Sequence, residues 1–319
     1  MTDSFWLPKV SIIIPVYNGV NYMKEAINSA LNQTYSNIEV IVVNDGSTDN
    51  GETGSVALSY GDKIKYLEKS NGGVSSALNL GIKHMTGEYF SWLSHDDVYT
   101  PYKIENQINS LKEYGSKNAI AMCSHFFIDD RGEKLNKTPN MVFKNGCYEW
   151  GTDLKTMLIK GTFNGCALLI PKDAFDRCGE FHEGLRYSQD SLMWDKIFLA
   201  GYSLVYNDNK DVMNRIHNRQ LTQTGKTIFK SDSWEISKIL MKDLIEASDS
   251  KSNFVFYFAE RNALNGNMNV VKSCISEGKK HGLICWRHEL FLLIQSLYGE
   301  IRPILRKLYY KYLIRVKIG

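Results

Sequence analysis

The first half of the chain alternates between two hydrophobic periods. VSIIIPV at residues 10–16 is an unbroken apolar, largely β-branched run, as expected of a strand buried on both faces. NYMKEAINSALNQ (21–33) then places Met23, Ala26, Ile27, Ala30 and Leu31 at helical spacing. IEVIVVNDGS (38–47) predicts a second buried strand that closes on polar and glycine residues, KIKYLEK (63–69) a third, and EYFSWL (88–93) a fourth. VSSALNLGIKHM (74–85) predicts a helix between the last two. A helix near 101–113, a strand at 119–128, a polar loop or hairpin over DDRGEKLNKTPN, a strand at 165–171 and a helix from Asp190 continue the pattern. After about residue 226 strand signals fade and helical ones dominate. Strands alternating with helices at this spacing imply βαβ units around a largely parallel sheet. The expected organisation is therefore an α/β domain over 1–225 and a helical region over 226–319. In open sheets of this kind ligands bind beyond the carboxyl ends of the strands. NDGSTD, SNGG and SHDD all fall at such ends.

Composition narrows the class. The 319 residues are 43% hydrophobic and 23% charged, with six prolines, which excludes disordered and collagen-like chains. A net charge of +3 is too small to indicate a nucleic-acid partner. The six cysteines lie far apart without a CxxC pair, so reduced thiols are expected rather than a disulfide framework. The start, MTDSFWLPKV, lacks the features of a signal peptide. The most apolar later stretch, LICWRHELFLLIQSLY, is interrupted by Arg287, His288 and Glu289 and is too short to span a bilayer. The expected location is the cytoplasm.

Several chemistries are missing. No GxGxxG follows the first strand, and the GKT at 225–227 lacks the upstream glycine of a phosphate loop, Gln220 standing there. No HExxH, cysteine-rich metal site or GxSxG elbow occurs. What remains is a set of acids and asparagines at strand ends. Asp45 can accept hydrogen bonds from a ribose or base, while Thr48 or Asp49 can cap a following helix. Asn71-Gly72-Gly73 precedes a helix N-terminus, a place suited to anions, although taken alone an ordinary loop is the better reading. Asp96 and Asp97 repel each other at the end of an apolar strand. A divalent cation completed by substrate phosphates would compensate Asp96, with Asp97 structural; His95 is ambiguous.

These residues carry a resemblance. SIIIPVYNG, VIVVNDGSTD, SNGGVSSALNLGI, WLSHDDVY, GEFHEGLRYSQDSLMWDKIFLAGY and NRIHNRQLT resemble, in order and spacing, the motifs of family 2 glycosyltransferases over residues 9–225. The resemblance implies a GT-A fold and inverting transfer of a sugar from a nucleoside-diphosphate donor, UDP by default, with Mn²⁺ or Mg²⁺ at a DxD-type motif. Here that motif reads Ser94-His95-Asp96, so its first aspartate is missing. By resemblance Pro15, Tyr17 and Asp45, with Asn71 nearby, hold the nucleoside; His95 and Asp96 face the donor; Asp96 and His217 hold the metal; and Arg215 contacts the diphosphate. Asp190 matches the catalytic base, and independently an inverting transfer needs a carboxylate to take the acceptor's proton. A helix N-cap is the alternative for Asp190, as a core position is for Trp194.

From Arg302 to Lys317 the chain carries six cations and no acid, with apolar residues at helical spacing. Residues 301–318 therefore read either as a helix on the inner face of the plasma membrane, which would make the acceptor a lipid-linked saccharide, or as one packed on the protein or a second subunit. The expected process is surface-polysaccharide assembly. A sugar-phosphate nucleotidyltransferase is disfavoured because PVYNGVNY has no Arg or Lys; a non-catalytic nucleotide-sugar-binding or scaffold protein is kept open by the incomplete DxD.

Overall fold

Unbroken apolar runs make the centre of the sheet. The computed structural model describes residues 6–116, 119–139, 143–149, 163–185, 187–218, 226–248 and 253–318, the side chains of 226–230 and 303–318 excepted. Strand β1 (Val10–Val16) is buried along its whole length and pairs in parallel with β2 (Ile38–Asn44) and β4 (Tyr89–Trp92). β3 (Lys65–Glu68) adds in parallel to β2. Parallel neighbours need crossovers, and helices α1 (Met23–Leu31), α2 (Glu52–Leu58) and α3 (Val74–His84) lie in these connections. Helix α1 buries Met23, Ala26, Ile27 and Ala30, the row its spacing predicts.

Beyond β4 the sheet becomes mixed. The order is β3-β2-β1-β4-β8-β6-β9-β5, with β7 (Gly146–Tyr148) paired to β9 (Leu204–Arg215). Strand β8 (Leu168–Pro171) is antiparallel to both β4 and β6 (Ile120–Ile128). Two reversals restore the original direction, and β9 is parallel to β6. The carboxyl end of β9 therefore lies at the same edge as those of β1, β2 and β4. Strand β5 (Val98–Tyr99) is antiparallel to β9.

The architecture is the mixed α/β sheet with a helical extension that the sequence led us to expect, with β8 inserted antiparallel. Strands β5, β7 and β9 lack a readable period. The first two have two and three residues, and β9 is interrupted by exposed Asp208, Asn209 and Lys210 near register shifts against β6. Helix α4 (Lys103–Glu113) sends its fully buried Lys103 Nζ to donate to Ser91 Oγ (2.6 Å) and the Leu168 carbonyl (3.2 Å). Burial lowers this ammonium to about 8. The contact ties β4 to β8 close behind the 94–97 turn. Short helices α5 (Asp173–Cys178) and α6 (Gln189–Leu199) follow β8.

The chain divides into two compact units, Met1–Leu154 with Gly161–Gly225, and Lys155–Lys160 with Lys226–Gly319. Among the described residues the first holds nine strands. The second holds α7 (Lys226–Glu246), α8 (Phe254–Leu264), α9 (Met268–Lys280) and α10 (Trp286–Ile318). Helix α8 packs on both α9 and α10. A Cβ at Gly299 would collide with the Ala263 carbonyl oxygen, so only glycine allows α10 to approach α8 there. Among the described residues no helix is long and apolar enough to cross a membrane. All six cysteines are free thiols.

Candidate active site

The loops after β1 and β2 are laced together. Asn18, in the left-handed region at φ 49°, donates from its amide Nδ2 to Thr48 Oγ1 (3.2 Å) and accepts from Thr48 N–H (2.7 Å). The N–H of Gly19 donates to Thr53 Oγ1 (3.0 Å), and Asp49 accepts from the Thr53 N–H (3.1 Å), capping α2. Gly19 must be glycine: a Cβ would collide with Val16 Cγ2 and stand 2.8 Å from His95 Cδ2. Pro15 is buried in β1 opposite Val43. Tyr17 is 43% exposed beside Thr48, its hydroxyl 3.4 Å from Oγ1.

Asp45, expected to meet the nucleoside, is almost fully buried and already partnered. Its Oδ1 accepts from Lys69 Nζ (2.9 Å) and Gly72 N–H (3.0 Å), and its Oδ2 from Gly73 N–H (2.7 Å). The carboxylate thus holds the Asn71-Gly72-Gly73 loop against the end of β2. Gly46, at φ 68°, allows the close pass, since a Cβ would stand 2.5 Å from the Asn71 amide nitrogen. The Asn71 side chain is exposed above this bend.

The adjacent carboxylates are sorted by depth. Asp97 points inward and accepts from Asn214 Nδ2 (3.0 Å to either oxygen) and from the Arg215 N–H (2.9 Å), with Cys166 Sγ 3.4 Å from Oδ2. Burial, reinforced by the charge of Asp96, raises its pKa. Asp96 lies nearer the surface, its Oδ2 3.0 Å from His217 Nε2, both side chains about one-seventh exposed (15% and 14%). His95 is kept below its ordinary pKa, first by burial. Ser94, at the place of the missing aspartate, donates from its N–H to Cys166 Sγ (3.3 Å).

Arg215 departs from expectation. Its side chain is fully buried, and its donors go to protein groups: Nε to the Asp96 carbonyl (2.8 Å), Nη1 to the carbonyls of Asp129 (3.1 Å) and Asp130 (3.3 Å), and Nη2 to Glu25 (2.7 Å). A guanidinium so enclosed clasps β9 to the 96–97 turn and to α1, and in this conformation is turned toward protein groups. Tyr22 lies between this group and His217, 4.5 Å from Arg215 Cζ and 5.3 Å from the imidazole centroid. Tyr22 and Glu25 share one face of α1's first turn. That i, i+3 pairing was visible in the sequence but had no partner to give it meaning.

Asp190 occupies the first turn of α6, where Ser191 N–H (2.7 Å) and Ser191 Oγ (3.5 Å) bond to its Oδ1. Burial outweighs those bonds and pushes its pKa up to about 6. Two fastenings place α6. The Asn79 side chain of α3 donates to the Phe181 carbonyl and accepts from its N–H, both at 2.9 Å. Phe181 also packs edge-on against Trp92 of β4 and Trp194 of α6. Trp194 is 3% exposed, a core residue.

Asp96 Oδ2 and His217 Nε2 bond directly to each other at 3.0 Å, and a carboxylate beside an imidazole is a donor pair that a Mn²⁺-type cation accepts. Among the described residues no third His, Cys, Asp or Glu joins them, which leaves the remaining positions to substrate oxygens and water.

Comparison with known proteins follows the same outline. The sequence model of Glycosyl transferase family 2 matches residues 11–179. An uncharacterized glycosyltransferase of Rickettsia prowazekii is 45% identical over 261 residues, 80% of this chain and 80% of that protein. In relatives from Rickettsia felis and Rickettsia conorii the match spans only about a third of their length, 36% and 34%. Residues 1–349 of Staphylococcus aureus TarS, crystallised with UDP-GlcNAc, superpose with a TM-score of 0.70 at 17% identity, covering 91% of this chain and 88% of that one. The mannosyltransferase PcManGT of Pyrobaculum calidifontis, in complex with GDP-Man and Mn²⁺, superposes at 0.59 with 16% identity, covering 95% and 84%. Both likenesses concern the fold.

Proposed function

The chain belongs to glycosyltransferase family 2, and from that premise we propose that it transfers a sugar, with inversion, from a UDP-type donor to a saccharide acceptor of a surface polysaccharide. The observation that carries the reading is the pairing of Asp96 with His217 across 121 residues of sequence, at the edge where the loops of β1, β2 and β4 also end. The UDP-GlcNAc in TarS supports the choice of nucleotide. The Mn²⁺ in PcManGT supports a divalent ion.

Asp96 and His217 would hold Mn²⁺ or Mg²⁺, which supplies positive charge to the departing diphosphate. The loops at Tyr17 and Asn71 would flank the nucleoside; Pro15 shapes the floor of that edge from within β1, and Asp45 keeps the Asn71 loop in place. Arg215 acts here as a positioning residue, holding the end of β9, two residues before His217, against the backbone of Asp96. Asp190 would take the proton from the acceptor hydroxyl as the new glycosidic bond forms on the face opposite the leaving group; a carboxylate poised near 6 is available as a base at neutral pH. The acceptor's lipid linkage remains part of the proposal, as does the assignment of 226–319 as a separate functional region. The side chains of 303–318, on which the membrane expectation for 301–318 rests, lie outside the described residues.

A thermal-shift screen of nucleotide sugars with and without Mn²⁺ tests the core of this reading. A UDP-sugar should raise the unfolding temperature only with metal, and Asp96→Ala should remove the rise. A donor shift that persists in EDTA and in Asp96→Ala would refute the assignment.

A further inference from the structure

Helix α10 buries one row and exposes a second. Positions Leu292, Ser296 and Gly299, spaced i, i+4, i+7, are buried, on a helix that packs against α8 and α9. Trp286, Leu290, Ile294, Leu297 and Ile301 are exposed by 66, 53, 57, 54 and 47%. At about 100° per residue this second row falls roughly opposite the first. Phe291 and Tyr298 border it. These seven residues account for most of the large hydrophobics exposed in the described residues; the other six are scattered singly. Single exposed apolar residues are ordinary, whereas a continuous row marks an interaction surface. An amphipathic helix packed on a protein body turns its apolar stripe inward, whereas α10 buries a row of one leucine, one serine and one glycine and leaves its apolar row facing outward.

Charge chooses the occupant. In sequence the same helix continues with Arg302, Arg306, Lys307, Lys311, Arg315 and Lys317 and has no acid after Glu300. A parallel second copy would set these six positive charges against six more. An antiparallel copy would have to neutralise them with Glu289 and Glu300, and Glu289 already pairs with Lys279 at 2.5 Å. An anionic lipid surface supplies the opposite charge along the whole stretch. Trp286 and Tyr298, apolar bodies with polar edges, suit the headgroup boundary. No described helix crosses a membrane, so α10 would lie in the plane of the interface.

We propose that the Trp286–Ile301 face of α10 docks into an anionic lipid leaflet, with the basic stretch that follows held by the headgroups. The inference stands apart from the transfer chemistry, because donor binding is read at the sheet edge. Flotation of the full chain with phosphatidylcholine vesicles, with and without phosphatidylglycerol, tests it. Binding should require phosphatidylglycerol, weaken with added salt, and fall at least about tenfold in Leu290→Gln/Ile294→Gln/Leu297→Gln. That variant should keep its unfolding temperature; if it does not fold, Ile294→Asp alone should show the same loss. Absence of vesicle binding, binding indifferent to these substitutions, or a wild-type dimer that they dissociate would each overturn the proposal, the last by showing that a second copy covers the row.

Discussion

Burial of Asp190 at the start of α6 sets the pH response expected of the transfer step. With its carboxyl near 6, the ionised form needed of a base fills in as pH rises through that value. The log of kcat/KM should therefore climb below about pH 6 and level off above it. Asp190→Asn should lower kcat by roughly 10²–10⁴-fold while leaving UDP affinity intact; steady-state kinetics beside calorimetry separates the two. An unchanged kcat would remove Asp190 from the chemistry. Asp96 and Asp97 show how one peptide step divides two roles. The inward carboxylate bonds to Asn214 and to the Arg215 backbone, the outward one to His217. Adjacent acids beyond an apolar strand, and the expectation that Asp97 is the structural one, came from the sequence; the partners that hold Asp97 inward, Cys166 and the end of β9, came from the packing.

At the scale of elements, the carboxyl end of β9 is held by one guanidinium. Arg215→Met removes the bonds to three carbonyls and to Glu25 together. It should cost about 3 kcal/mol in urea unfolding and should also weaken metal-dependent donor binding, because His217 is no longer held against Asp96. Retained donor affinity in a folded variant would deny Arg215 its positioning role. The β1 loop gives a second test. Gly19→Ala forces a Cβ toward Val16 and His95 and should lose roughly 1–3 kcal/mol; an unfolding temperature equal to wild type would show that His95 is free to move aside. Strands β1 and β2 and helices α1 and α3 were readable because each carries its own apolar pattern over seven or more residues. Strand β9 was not, because its polar centre belongs to an irregular stretch of the sheet that only its neighbour β6 explains.

Across the whole molecule, the Asp190 carboxyl, proposed above as the base, works against stability. Its folded value of about 6 exceeds the ordinary 3.8, so as pH rises between them the unfolded chain releases the proton first. Stability from this group is thus full below about 4 and declines until about 6. Asp190→Asn escapes that loss. Urea melts should show it close to wild type in acid and more stable by on the order of 1–3 kcal/mol at pH 8. A variant less stable than wild type at pH 8 would contradict the burial cost. The exposed row on α10 belongs to this scale as well. Its residues were already in view as the most apolar late segment, but a one-dimensional pattern does not distinguish a buried stripe from a second one left facing outward.

By itself the sequence determined the α/β class, the parallel centre of the sheet and the loops that meet at its carboxyl edge. These follow from local apolar period and from turn residues placed directly after strands. Tertiary structure alone decided what each charged group touches. Arg215 bonds to Asp96 across 119 residues and to Glu25 across 190, and Asp45 closes on a loop 27 residues away. A guanidinium's burial and a carboxylate's partner depend on which strands become neighbours, and here that was settled by β8, antiparallel to both β4 and β6, which leaves β9 ending at the same edge of the sheet as β4.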